Sequence, residues 1–174
     1  MSARRTIAVA VLVALAAVPA ALGGHGTTQQ TSMQALDAGV LVQLNTIRTA
    51  HGLLPLRLNG ELTAAAQGHS EQMLADGYFA HESADGSPFW TRLTAYSSSA
   101  HGWWSVGENL LWSSPDVDPR AALEMWWNSP EHRKNMLTAR WRQIGLSAVH
   151  VAAAPGTYGG REVTIVTTDF GVRR

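Results

Sequence analysis

Trp126-Trp127-Asn128-Ser129-Pro130-Glu131-His132-Arg133 contains a helix end, a break and a new helix start. Asp118-Pro119 opens the first of these helices, with the carboxylate as cap and proline in the first turn, and Leu123, Trp126 and Trp127 form its inward face. Ser129-Pro130 closes it, because proline removes an N–H that a helix interior needs, and the same pair caps the next helix, where that N–H has no partner anyway. The second helix runs from Pro130 to about Thr138 and sets His132 in its first turn. The positive end of the helix dipole disfavours protonation there, so the imidazole stays available as a base or ligand; an ordinary surface histidine is the plainer reading.

Upstream, Gly107-Glu108-Asn109 runs into Leu110-Leu111-Trp112, a short strand. An ionised carboxylate beside a core segment must be paired, so Glu108 reads as a site residue rather than a solvated turn residue. Before it, Ser87-Pro88 starts a helix with the hydroxyl as cap and Phe89, Leu93 and Tyr96 on its buried side. Tyr78-Phe79-Ala80-His81 follows the helix stop Gly77 and precedes the turn at Asp85-Gly86, which pins His81 between two helices as a site candidate or a surface loop residue. The helix from cap Asn59 to Gly77 carries Leu62, Ala66, His69 and Met73 on one face; His69 reads as a hydrogen-bonded core histidine. An earlier helix starts at the capping-box pair Thr31 and Gln34. It carries Met33, Leu36, Val40, Leu44 and Ile47 inward and stops at Gly52, with His51 as a partner of its C-terminal dipole. Leu53-Leu54-Pro55-Leu56 is an extended connector, since Pro55 pushes Leu54 out of helical geometry.

Downstream the period changes. Ile144 to Val151 partly alternates, Ala154 to Gly160 forms a loop, and Val163 to Phe170 alternates again, which predicts an antiparallel pair. Helical periods followed by an antiparallel strand pair place the chain in the α+β class.

With 174 residues, one domain with a sizeable core is expected. Formal charge is zero and no basic run occurs beyond the N-terminus, which argues against nucleic acid as a partner. Met1 to Gly23 has the layout of a secretory signal, with Arg4-Arg5, an apolar run from Thr6 to Val18 and small residues suited to cleavage after Ala20 or Gly23. The run is shorter than the ~20 residues of a membrane-spanning helix, so the mature protein is expected to be secreted without a transmembrane segment; an uncleaved anchor is the alternative. Residues 24–30 then read as a flexible lead-in and residues 31–174 as the domain. Cysteine is absent, which excludes disulfides, a thiol nucleophile and thiolate ligands.

Taken together, N-x-x-R at Asn45 and Arg48, the Gly52 to Leu56 connector, F-x-H ending at His81, G-E-N at Gly107 to Asn109, W-x-x-S-P-x-H-R from Trp126 to Arg133, and I-G-L followed by D-F-G resemble the CAP superfamily of cysteine-rich secretory, antigen-five and pathogenesis-related proteins, in its bacterial SCP-domain branch. The resemblance spans about Leu36 to Val172. It implies a three-layer α-β-α sandwich, a small antiparallel sheet between helices with a large cleft. It also implies a His and acidic tetrad that holds a divalent, zinc-like metal in some members. His81, Glu108 and His132 match three of its positions; the fourth, acidic in eukaryotic relatives, falls on Ser129, with Glu131 close by. Two imidazoles and a carboxylate form the ligand set of many catalytic zinc sites. The resulting expectation is a secreted binding module for a small-molecule, lipid, peptide or cell-wall ligand. The alternatives are a metal-dependent hydrolase, peptidase-like or acting on cell wall, and a lipid or sterol carrier using Trp103-Trp104, which otherwise read as packing residues.

Overall fold

The computed structural model describes residues 24–174, with side chains of the first helix described at Gln30 and from Met33 onward. The export segment expected at Met1 to Gly23 lies outside the described residues. Helix α1 spans Gly24–Ala50 and buries Leu36, Val40 and Leu44 at four-residue steps. The described residues 24–30 are already helical instead of an irregular lead-in, so Thr31 lies inside α1 and is not its cap. Polar composition is a weak brake on an established helix, because each added residue gains a bond without repeating the cost of nucleation.

Asn59 caps α2 (Gly60–Asp76) as its sequence position predicts: its backbone is extended and its side chain accepts from the Leu62 N–H at 3.0 Å. Gly77 ends the helix at φ 71°, a conformation that costs glycine little. The next helical piece differs from expectation. A 3₁₀ segment at Phe89–Leu93 leads into α3 (Thr94–Ser98), and the Ser87 hydroxyl caps neither; the Ser87 N–H is spent on Asp85 Oδ1 at 2.9 Å in the preceding turn.

The sheet has the order β1-β3-β4-β2, from β1 (Arg57–Leu58), β2 (Trp104–Ser113), β3 (Gln143–Val151) and β4 (Val163–Arg173). The three long strands are antiparallel, as expected. At one edge that expectation is corrected: β1 runs parallel to β3 and makes the sheet mixed, held by Arg57 N–H to Arg142 O at 3.0 Å and Asn59 N–H to Ile144 O at 2.9 Å. Strand β2 is also longer than Leu110 to Trp112. Its pairing runs from Trp104 opposite Arg173 to Ser113 opposite Thr164, so β4 imposes extended geometry on residues with little strand preference of their own.

Alternation divides β2, β3 and β4 between two helical layers. Leu111, Ile144, Leu146, Val166, Phe170 and Val172 meet Leu36, Val40, Leu44, Trp126, Met136 and Trp141 on the side of α1, α4 (Pro119–Asn128) and α5 (Pro130–Met136). Leu110, Val163 and Ile165 meet Met73 and Leu74 of α2 on the other. Gly145 lets α2 lie directly on β3, where any side chain would overlap the Leu62 backbone. The result is the expected α-β-α sandwich. Within it Trp126 is buried as expected and Trp127 only half-buried, since it lines an open cavity between α1 and α4 with Ile47 and Leu123.

The N-x-x-R motif turns out to be a clasp. Asn45 donates to Leu56 O at 3.0 Å and accepts from the Leu56 N–H at 2.7 Å, fixing the connector. Fully buried Arg48 donates to Leu54 O, to Met136 O at 2.7 Å and to Thr138 O, which anchors the C-terminal end of α5.

Candidate functional site

Strand β2 lies at the edge of the sheet, and an uncovered edge offers free carbonyls. Two alternate ones are covered by side chains: Asn135 Nδ2 donates to Glu108 O and Trp126 Nε1 to Leu110 O, both at 3.0 Å. Asn109 completes the join by donating to His132 O at 3.1 Å and accepting from Asn135 Nδ2 at 2.9 Å. Gly107 is needed for this approach, since a Cβ there would lie 3.0 Å from Trp141 and 3.1 Å from Asn135 Oδ1. The three residues of G-E-N therefore act separately. Gly107 admits α5, Asn109 locks it, and Glu108 points to the opposite face.

There Glu108 is buried, its side chain 1% exposed, with both oxygens engaged. His81 Nδ1 lies 2.8 Å from Oε1, and Arg92 donates to Oε2 at 2.6 Å. An ionised carboxylate only accepts, so Nδ1 of His81 carries the hydrogen of this bond, and Nε2 is the ring nitrogen left free of Glu108. The His81 side chain is 47% exposed, so the assembly opens to solvent through that ring.

The segment carrying His81 is held through its carbonyls. Tyr158 donates to Tyr78 O at 2.6 Å, His69 Nε2 to Ala80 O at 2.9 Å, and Arg92 to His81 O at 2.8 Å. His69 is thus the hydrogen-bonded core histidine that its position predicts. Its Nδ1 has no partner among the described residues, and burial, helped by the Arg92 charge, depresses its pKa, so the ring is neutral.

Asp169 sits opposite Glu108 on β4 and is 1% exposed. Burial, reinforced by the Glu108 charge, holds its pKa well above the carboxylate range. The Arg92 charge, bonded to Glu108, opposes that rise only in part. His132 comes from α5, half-buried, with its pKa lowered first by burial and then by the charge of His81; exposed Glu131 opposes the shift.

Of the residues singled out by sequence, His81 and Glu108 are in contact and His132 lies within electrostatic reach of His81. Ser129 occupies the junction of α4 and α5 without a side-chain capping bond, and Glu131 acts on His132 only as a nearby charge. Among the described residues no three His, Asp or Glu side chains are grouped so as to hold a metal ion. Trp103 is half-exposed beneath the Arg174 guanidinium, 5.5 Å away, and Trp104 on β2 pairs with Arg173 on β4. Sequence reasoning missed two members of the assembly. Arg92 lies on a helix whose apolar side carries the stronger signal, although a buried Glu108 requires a cation. Asp169 stands out only as part of D-F-G, although alternation from Val163, Ile165 and Thr167 puts it inward.

The model of the cysteine-rich secretory protein family, CAP, matches residues 41–167. The uncharacterised protein YkwD of Bacillus subtilis is 31% identical over 124 residues, 71% of this chain and 46% of that protein. Among solved structures, an extracellular protein containing a SCP domain from Bacillus anthracis is similar at a TM-score of 0.66 and 25% identity, over 87% of this chain and 45% of that one. An outer surface protein of Borrelia burgdorferi shares the fold at a TM-score of 0.60 and 18% identity, over 78% of this chain and 90% of that one. The chain thus spans less than half the length of YkwD and of the Bacillus anthracis protein.

Proposed function

The chain belongs to the cysteine-rich secretory protein (CAP) family, and from that premise we propose that it is an exported binding module whose ligand meets the paired imidazoles of His81 and His132. The observation that carries this reading is the double engagement of Glu108 by His81 and Arg92. A carboxylate so occupied, one oxygen by a cation, does not fit as a direct metal ligand. It fits as the partner that orients a ligating imidazole, an arrangement common behind metal-binding histidines. His81 Nε2 and the imidazole of His132 would then hold a divalent metal of the zinc type, leaving coordination positions for a ligand. Such an ion supplies Lewis acidity when bound. The chain's own residues do the rest: Glu108 sets the His81 tautomer, Arg92 balances the Glu108 charge, and burial keeps His132 neutral at pH 7.

The hydrolase reading rests on the same pair, since a carboxylate behind an imidazole orients a general base. No serine or threonine hydroxyl bonds to His81 among the described residues, so water would have to be the nucleophile.

Calorimetric titration with zinc at pH 7.5 and 5.5 tests the proposal. Binding is expected at pH 7.5 and lost at 5.5, because the imidazoles must shed their protons to coordinate. His81→Ala and His132→Ala should each abolish it, and Glu108→Gln should weaken it roughly 10- to 100-fold, as loss of a partner behind a ligand does. Equal affinity in His81→Ala and the unsubstituted chain would overturn the reading.

A further inference from the structure

At the β1 end of the sheet, the same level of three strands brings together arginines that the site above does not use. A cavity of about 580 Å³ is lined by Leu54, Pro55, Arg57, Arg142, Gln143 and Arg173. Arg57 on β1 pairs with Gln143 on β3, and Gln143 with Gly171 on β4, two residues before Arg173. Alternation therefore puts Arg57, Gln143 and Arg173 on one face, and Arg142 precedes Gln143 at the rim.

These side chains are not a loose surface cluster. Arg173 is ion-paired to Glu61, donates to Tyr96 O at 2.8 Å and lies over the Tyr96 ring, 4.3 Å from its centre. Arg142 donates to Ala139 O at 2.7 Å and Trp141 O at 2.8 Å. Both guanidinia are thus held in place, with donors left over. Gln143 is oriented as well. Its Oε1 accepts from the Tyr96 hydroxyl at 2.8 Å, which leaves the amide nitrogen as a donor without a partner among the described residues. Arg57 is exposed and its guanidinium makes no hydrogen bond among the described residues.

The lining holds donors and cations and no carboxylate; Glu61, outside it, answers one of three positive charges. The local field is correspondingly positive, and the charge of Arg142, after burial, lowers the pKa of Arg48 behind the connector. A chain with zero net charge gains nothing for solubility from grouping three arginines. Pre-ordered guanidinium forks beside an amide donor match an oxyanion, and exposed Leu54 and Pro55 offer apolar contact to the rest of such a molecule.

We propose that this cavity is a binding site for an oxyanion group, phosphate or carboxylate, carried on a larger ligand. The site shares no lining residue with the His81 assembly and stands independently of the binding reading above.

The test is calorimetric titration of the folded chain with pyrophosphate and, separately, citrate, against chloride at equal ionic strength. Saturable binding of at least one is expected, and the preferred anion identifies the source as phosphate or carboxylate. Arg57→Gln removes no bond seen in the fold and should weaken binding about tenfold, the effect of one charge-assisted hydrogen bond. Adding Arg142→Gln should weaken it further, with zinc titration unchanged in both variants. If the double variant fails to fold, Arg57→Gln alone decides. Saturation by neither anion, or equal affinity in Arg57→Gln and the unsubstituted chain, overturns the proposal.

Discussion

The two faces of strands β2 and β4 use the same backbone for opposite purposes. On one, Leu111, Val166, Phe170 and Val172 press into a layer of tryptophans and leucines from α1, α4 and the approach to β3. On the other, Glu108, Thr167 and Asp169 meet Ser70 and Arg92 at one end of the strands, and Leu110, Val163 and Ile165 pack on α2 at the other. The apolar face gains from non-directional burial and tolerates small misfits. A buried polar atom demands a partner on either face, and among the described residues Trp141 Nε1 on the first and His69 Nδ1 and Asp169 Oδ1 on the second find none. Apolar burial runs the length of the first face, whereas on the second it is confined to the end where Leu110, Val163 and Ile165 meet α2.

That contrast is open to direct attack. Trp126→Ala strikes the apolar face and the covered edge together, since the indole is 1% exposed and also donates to Leu110 O. A loss of about 3–5 kcal/mol is expected in urea unfolding. A change under ~1 kcal/mol would place the stabilising face elsewhere.

Asp169→Asn strikes the polar face and should act in the opposite direction. Asp169 keeps its proton in the fold well above the ordinary aspartate value of 3.8, whereas the unfolded chain releases it there. Stability from this group is therefore complete below pH 3.8 and falls as pH rises toward the folded pKa. The neutral amide removes that loss. The variant should be more stable at pH 7.5, by more than the ~0.5 kcal/mol typical of a surface change, and no more stable at pH 3. Parallel urea curves at both pH values would mean that Asp169 is ionised in the fold.

The smallest effect is expected outside both faces. A chain beginning at Gln30 loses the first turns of α1, ahead of Leu36, the first buried residue described. Its unfolding free energy should stay within ~0.5 kcal/mol of the longer chain. A larger loss would show that residues 24–29 dock on the domain.

Local chemistry made much of the fold legible. Asn59, Gly77, Asp118 with Pro119, and Ser129 with Pro130 mark helix ends because caps and proline act on their own turn. Period-two alternation revealed β3 and β4 for the same reason. The two-residue β1 and the first half of β2 were not legible, because their geometry comes from partners distant in the chain.

The site divides the same way. Sequence alone singled out Glu108, because a carboxylate next to an apolar run must find compensation, and His81 and His132, because each stands where helices meet turns. It supplied the family resemblance as well. Only the tertiary structure decided what compensates Glu108. His81 reaches it from an irregular segment held at three carbonyls, Arg92 from the 3₁₀ segment, and Asp169 from the last strand by cross-strand register. A charge's need for a partner is written in its own residue type, but the partner's identity depends on distances that exist only once the chain has closed on itself.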